Sequence, residues 1–277
     1  MLARVSCIVA IAAVQTLTAY YAAERPLLPQ TETGEWVARQ ADLRDVGKDA
    51  SFQLKMRLSD RQQRVREREL TITTMRAPSS GPKSTADGDR MLIRFTYPND
   101  IKGTAFLVWE HPGTEDERFL YLPALGRVRR ITGAEAQDNF VGSDFTYEDI
   151  SGRELDDYTY TMVDRNATWS GPEGTTFPGY RIESRAKDSQ ARFPRIVSTI
   201  RKDNFVVVHA EIYNRRDERQ KVYEVRKLDL IQSIWTLSDV AMTDATAKTH
   251  TDLGLTHVRY NIGLKDGDFS RRELEGK

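Results

Sequence analysis

The chain contains little of what disulfides, thiol chemistry and most metal sites are made from. Cys7 is the only cysteine in 277 residues, and the four histidines are His111, His209, His250 and His257. Cys7 lies in an N-terminal apolar segment that we expect to be cleaved, so the mature chain has no disulfide and no Cys-ligated metal. The histidines are far apart and have no carboxylate at a suggestive spacing. Each is therefore interpreted as a surface or sheet residue.

Two further absences narrow the class of function. Acidic and basic residues number 41 each, so no overall field favours nucleic acid. The sequence has no G-x-S-x-G elbow, no H-E-x-x-H motif and no glycine-rich phosphate loop. Ser143, beside Asp144, is the one serine to test as a lipid-cleaving nucleophile, and no histidine is near it in sequence. We predict a protein that is not an enzyme and uses no cofactor, metal or nucleic acid.

The first 23 residues have the pattern of a cleaved secretory signal. Arg4 precedes an apolar run at residues 5–14, and small residues follow at Ala19 and Ala23. The run is short for a transmembrane helix, and a retained membrane anchor is the alternative. Residues 24–34 are interpreted as a tether, and residues 35–277 as a single periplasmic domain.

Hydrophobic periodicity predicts one helix followed by many strands. Residues 35–46 are predicted to be helical, with Thr33 as the cap and Leu43 on the apolar stripe. Residues 52–58 alternate apolar and polar side chains, which is typical of a strand with one buried face. Further strands are predicted at residues 64–75, 90–97, 104–110, 118–122, 127–131, 157–164, 180–186, 196–202, 205–214, 221–230, 235–242 and 248–260.

This succession of strands without βαβ alternation predicts one antiparallel sheet that curls on itself. Residues 132–152 are the exception, because they are poor in strand signals and have apolar side chains at near-helical spacing. We predict short helices there, laid across the open side of the sheet, and call this segment the lid. The predicted fold class is mainly β with a few helices (α+β), an unclosed antiparallel β-barrel or half-barrel.

A dense acidic run overlaps the lid. It comprises Asp144, Glu148, Asp149, Glu154, Asp156 and Asp157. Oxygen ligands in a short loop suit calcium, although the spacing matches no EF-hand. The interpretation we favour is a solvated face that pairs with Arg127, Arg129 and Arg130.

Four segments carry a resemblance to a known family. They read GTAFLVWEH from Gly103, RFLYLPALGRVRRI from Arg118, GSDFTYEDISGRELDDYTY from Gly142 and RYNIGLKDGDFSRREL from Arg259. They resemble the LolA-like outer membrane lipoprotein-sorting family of Gram-negative bacteria, in the branch associated with RND-type export. The resemblance extends over about residues 36–274. It implies an unclosed barrel with a helical lid over an apolar cavity. A release-gating arginine is not carried over, because no position in this sequence matches one.

The resemblance implies a periplasmic carrier that binds acyl chains of a lipoprotein or phospholipid for transfer toward the outer membrane. An ordinary core is the alternative explanation for the aromatic residues. The side chains predicted to line the cavity are Phe52, Leu54, Met56, Phe95, Trp109, Leu120, Leu122, Phe140, Phe145 and Tyr147. The implied partner is an RND-type or ABC-type inner-membrane transporter. The competing function is an adaptor or sensor module that binds such a transporter or a regulatory protein, with residues 127–130 as its edge.

Overall fold

The computed structural model describes residues 32–77, 88–111, 113–171 and 174–276. The predicted signal peptide and residues 24–31 of the predicted tether lie outside the described residues. In the described part of the chain, no helix has both the length and the apolarity needed to cross a bilayer.

Within the described residues, thirteen strands form one antiparallel sheet, which confirms the predicted fold class. They are β1 Asp49–Ser59, β2 Val65–Met75, β3 Arg90–Tyr97, β4 Ala105–Trp109, β5 Glu117–Leu122, β6 Arg127–Ile131, β7 Tyr158–Ser170, β8 Thr176–Ala186, β9 Arg195–Arg201, β10 Val207–Tyr213, β11 Arg219–Ile231, β12 Ile234–Asp244 and β13 Thr249–Tyr260. The order across the sheet is β6-β5-β4-β3-β2-β1-β13-β12-β11-β10-β9-β8-β7. Because β6 and β7 are the two edges and do not pair, the barrel stays open.

Alternating side chains give the sheet an inner and an outer face. On β1, Leu54, Met56 and Leu58 are buried while Lys55 and Arg57 are exposed. Period-two alternation is the geometry of a strand, so the apolar residues of β1 share one face, on which Leu54 lies opposite Leu70 of β2. We call the face that carries this main apolar cluster the inner face.

The N-terminal helix is shorter than predicted. Helix α1 is Gly34–Asp42, and the Oγ1 of Thr33 accepts a hydrogen bond from the Trp36 N–H at 3.1 Å, as the predicted cap. The chain leaves the helix at Leu43, whose side chain is 73% exposed, so the prediction that Leu43 shares the apolar stripe is wrong. Gly34 fits closely against β7, since a Cβ there would lie 2.6 Å from the Thr161 carbonyl carbon.

The chain between β6 and β7 joins the two edges of the sheet and contains the lid. It forms 3-10 turns at Ala134–Gln137, Phe140–Gly142 and Leu155–Asp157, with helix α2 at Tyr147–Ser151. The end of the chain, residues 264–275, covers the outer face of β4 and β5, with a 3-10 turn at Asp266–Phe269 and helix α3 at Arg271–Glu275. We call this segment the C-terminal cover.

Candidate functional site

Aromatic rings from the lid fill the inner face of the sheet. Phe140 stacks on Phe95 with centroids 6.0 Å apart and meets Phe106 edge-on at 5.7 Å. Tyr147 lies 5.2 Å from Phe106 and 5.3 Å from Phe140. Farther along, Phe145 meets a ring of β11, and each lid ring is at most 6% exposed. These rings belong to the main apolar cluster of the protein.

Nine of the ten predicted lining residues lie in or against this inner cluster. Seven are buried within it: Leu54, Met56, Phe95, Leu120, Phe140, Phe145 and Tyr147. Phe52 and Leu122 are half-buried and pack against it. Trp109 requires a correction, because it lies on the outer face, where its Nε1–H donates to the Phe269 carbonyl oxygen at 2.7 Å.

Phe106 is a central residue of the site that the predicted lining omitted. It is fully buried, pairs across strands with Leu120 and contacts two lid rings. Residues 106 and 109 are separated by an odd number of positions, so they face opposite sides of one strand. Apolar residues occupy both faces of β4, so the sequence alone does not show which of them face inward. The pairing of Phe106 with Leu120 would have shown it.

A buried polar cluster fixes the tip of the lid to the centre of the sheet. Asp144 is 5% exposed, and its carboxylate accepts hydrogen bonds from the hydroxyls of Thr249 and Thr251 on β13. Lys221 on β11 is fully buried and donates from Nζ to the Asp144 carbonyl oxygen at 2.5 Å. Burial lowers the pKa of Lys221, and the charge of Asp149 opposes this effect. We call Asp144, Lys221, Thr249 and Thr251 the lid latch.

The second half of the lid is organised around Asp149. Its carboxylate accepts from the Thr146 N–H while its own N–H donates to the Thr146 hydroxyl, which forms a capping box on α2. Burial acts to raise the pKa of Asp149, but Arg153 and the Thr146 bonds outweigh it and lower the pKa. Ser151 then accepts from Arg118 of β5 at 3.4 Å.

The acidic run is only partly the solvated face that was predicted, since Glu154, Asp156 and Asp157 are exposed while Asp144 and Asp149 are not. Asp144 is buried against threonines and the Asp149 side chain is 11% exposed in a pair with Arg153. Arg129 pairs instead with Glu135 at 2.8 Å. The correction has a physical cause, because carboxylates that accept hydrogen bonds from hydroxyls and backbone N–H groups can be buried at acceptable cost.

The inner face is occupied by side chains. Two clefts in the described part of the chain lie at the surface, with volumes of about 220 and 240 Å³. The first lies beside α1 and the second at the outer end of β2 and β3. An acyl chain on the inner face would thus take the place of lid rings.

Groups that could support catalysis lie on separate elements of the chain, with Ser143 in the lid and His250 on β13. The Ser143 hydroxyl is 1% exposed and donates to the Phe145 carbonyl oxygen at 3.3 Å. His250 lies 2.7 Å from Asp252 and His111 lies 3.2 Å from Glu117, so two histidines have carboxylate partners that the sequence did not indicate. No group of three or more His, Cys, Asp or Glu side chains in the described residues is placed to hold a metal ion.

Comparisons with known proteins agree with this architecture. A family model described as "uncharacterized protein" matches residues 87–276, more than half of the chain. No curated protein matches the chain.

The chain is also similar to several solved structures. A putative outer membrane lipoprotein-sorting protein domain from Vibrio parahaemolyticus is 27% identical, with a TM-score of 0.76 over 87% of this chain and 98% of that one. A DUF1329 family protein from Desulfovibrio piger is 26% identical, with a TM-score of 0.76 over 87% and 97%. A LolA superfamily protein from Nitrosomonas europaea, at 15% identity, shares the fold with a TM-score of 0.64 over 86% and 97%.

Proposed function

This chain belongs to the LolA-like family of outer membrane lipoprotein-sorting proteins, and from that premise we propose that it is a periplasmic carrier of acyl chains. The cargo is an acylated lipoprotein or a phospholipid, whose chains lie on the inner face of the sheet during transfer toward the outer membrane. No catalytic step is required of such a carrier.

One observation supports this proposal above the others. The inner face is apolar across the sheet, and its cover is a segment that pairs with no strand of it. The lid makes an isolated bridge only within itself, between Asn139 and Thr146. Lifting the lid therefore leaves every strand pairing intact while it exposes a large apolar surface.

The energetics of exchange suit an acyl ligand. Each methylene group removed from water contributes about 0.8 kcal/mol, so one long chain replaces the contacts that the lid rings lose. The lid also contains buried polar groups, which cost free energy when their partners are imperfect.

The test is native mass spectrometry, with lipid extraction, of protein purified from the periplasm of its own cells. We expect a bound phospholipid or acylated fragment that is lost in the double variant Phe145→Asp/Tyr147→Asp. Leu125→Asp is the matched control, because Leu125 is 57% exposed and outside the inner cluster. Undiminished lipid in a folded double variant would contradict the proposed lining.

A second candidate function is supported by the edge strand β6. Its outer edge pairs with no strand, and Arg127 and Arg130 on it are exposed. Such an edge can add a strand from a partner, here an RND-type or ABC-type inner-membrane transporter. If lipid-free protein crosslinks to such a transporter, and Arg127→Glu/Arg130→Glu abolishes the crosslink, the adaptor function is supported. An unchanged crosslink would contradict this use of β6.

A further inference from the structure

A basic row continues the apolar inner face of β2 toward its rim. Leu70 is buried, Arg68 is half-buried and Arg66 is exposed, and the period of two places all three on one face. The pairing with β1 agrees, since Arg68 lies opposite Met56 and Arg66 opposite Leu58, both of which are buried. Along β2, the inner face thus changes from apolar at Leu70 to cationic at Arg68, the next residue on that face.

The two arginines line the surface cleft of about 240 Å³ at this end of the sheet. Ile101 also lines it and packs against the inner cluster, while Tyr97 is 52% exposed at its mouth. The cleft is therefore amphipathic. It is apolar where it meets the inner face and carries two guanidinium groups at the rim, where Glu67 and Asp100 also line it.

Arg66 and Arg68 make no ion pair with a carboxylate in the part of the chain that the structure describes. Arg68 donates a hydrogen bond to the Val141 carbonyl oxygen of the lid, and its guanidinium lies 6.0 Å from the centroid of Phe95. Burial, followed by the charge of Arg66, lowers the pKa of Arg68, and Asp100 acts against this. A half-buried charge beside a like charge is unfavourable, and a bound anion would relieve it.

On the opposite face of β2, the charged side chains have partners of opposite charge. There Glu67 lies 3.4 Å from Arg57, and Glu69 lies 3.5 Å from Lys55. Both pairs join neighbouring strands across the exposed outer face. The inner-face arginines lack this compensation, although carboxylates were available one residue away.

We propose that Arg66 and Arg68 form a subsite for the phosphate of a phospholipid headgroup. The proposal rests on the proposed function, because the acyl chains of the same lipid would lie on the inner face. Two forked guanidinium groups match phosphate oxygens in geometry and charge. Arg68 and Leu70 are about 7 Å apart along the strand, so a phosphate at the rim and the first methylene groups inside it fit one molecule. A diacylglyceryl group without phosphate has the same chains but gives these cations no partner.

Three short-chain probes test this subsite by isothermal titration calorimetry of the purified protein. They are dihexanoylphosphatidic acid, dihexanoylglycerol and inorganic phosphate, each used below any micelle concentration. We expect the phosphatidic acid to bind at least about 10-fold more tightly than dihexanoylglycerol, since charge-assisted hydrogen bonds add to the same apolar contacts. Inorganic phosphate should bind more weakly than the phosphatidic acid because it lacks the chains.

Variants locate the effect. Arg66→Gln should remove most of the preference for the phosphatidic acid without affecting folding, because Arg66 is exposed and has no partner in the described residues. Arg66→Gln/Arg68→Gln should remove it completely, so that the two diacyl probes bind alike. Asp100→Asn should strengthen phosphatidic acid binding by removing the opposing charge. Arg57→Gln, on the outer face, is the matched control and should change nothing.

The outcomes separate this proposal from the carrier function. Equal binding of both diacyl probes, unaffected by Arg66→Gln, would overturn the subsite and leave the carrier standing. Inorganic phosphate that binds as tightly as phosphatidic acid would assign the subsite to free phosphate and overturn the lipid headgroup. Binding of neither diacyl probe would overturn both the subsite and the carrier.

Discussion

The sheet is covered on both faces, and the two covers are attached in different ways. The C-terminal cover is held by apolar residues, chiefly Phe269 and Leu274, which are 1% and 0% exposed. The lid also buries large rings, but it adds the ionisable groups Asp144 and Lys221 to its contact with the sheet. The C-terminal cover adds apolar side chains to a core, whereas the lid also places charged groups inside one.

This difference indicates which cover is built to move. Apolar contacts stabilise a cover without needing matched polar partners, while buried charged groups stabilise it only where their partners are in place. Removal of the lid also disrupts no strand pairing. We therefore expect the lid, and not the C-terminal cover, to be the part that separates from the sheet.

The largest expected effect comes from removing one buried aromatic ring from each cover. Phe140→Ala and Phe269→Ala should each lower the free energy of unfolding by about 4 kcal/mol, because both side chains are fully buried. Urea unfolding measures this loss. Lipid retention should then change only in Phe140→Ala, and an equal change in folded Phe269→Ala would remove the distinction between the covers.

Loss of the latch carboxylate should have the next largest effect. Asp144→Ala leaves the hydroxyls of Thr249 and Thr251 without their acceptor and should cost about 3 kcal/mol, with faster limited proteolysis within the lid. Asp144→Asn keeps one acceptor oxygen and should lose less. Asp268→Ala is the control on the C-terminal cover, where the carboxylate accepts a single exposed bond from the Lys265 N–H. A lid that resists protease equally in all three variants would contradict the latch.

The strands and the lid were predictable from the sequence, because period-two alternation and its interruption are local properties of the chain. β1 is an example, since Leu54, Met56 and Leu58 alternate with charged residues and indicate one buried face. Residues 132–152 interrupt the pattern, and the structure has short helices there. The predicted ends were less accurate for α1, whose apolar stripe continued into Leu43 without a tertiary contact to support it.

The latch and the position of Trp109 could not be predicted from local pattern. The partners of Asp144 are more than 100 residues away in sequence, at Thr249 and Thr251, so no spacing rule finds them. Trp109 sits in a strand with apolar residues on both faces, where parity depends on the register with β5. Both facts require the order of strands across the sheet.

Glu110 should give the lid side of the sheet a pH dependence. Burial, then the charges of Asp89, Asp116 and Glu154, raise its pKa to about 8. Between its ordinary value and about pH 8, the folded state keeps a proton that the unfolded state releases, so stability falls as pH rises through this window. Glu110 also lies at the end of the lid, with Oε1 3.7 Å from where a Cβ on Gly152 would be.

Glu110→Gln should remove this dependence, with Asp268→Asn on the C-terminal cover as the control. Thermal unfolding between pH 5 and 8.5 measures it, since a domain of this size changes its Tm by about 2–4 °C for each kcal/mol. As pH rises, the Tm of the variant should rise relative to that of the parent. The charge of Arg76 partly offsets the effect of the acidic neighbours on the pKa of Glu110. Parallel pH profiles for parent and variant would show that Glu110 titrates normally.

The smallest expected effect compares the helix caps of the two covers. Thr146 caps α2 in the lid and Ser270 caps α3 in the C-terminal cover, each by accepting a backbone N–H bond, at 2.9 and 3.2 Å. Thr146→Ala and Ser270→Ala should each cost about 1 kcal/mol. Hydrogen exchange should distinguish them, because loss of the Thr146 cap loosens a segment that can leave the sheet, whereas α3 stays fixed by Leu274. Faster exchange confined to α2 and its neighbours is expected for Thr146→Ala, with Thr146→Ser restoring protection. Comparable exchange at both helices would mean that the two covers open equally readily. This result would contradict the prediction that the lid separates from the sheet more easily than the C-terminal cover.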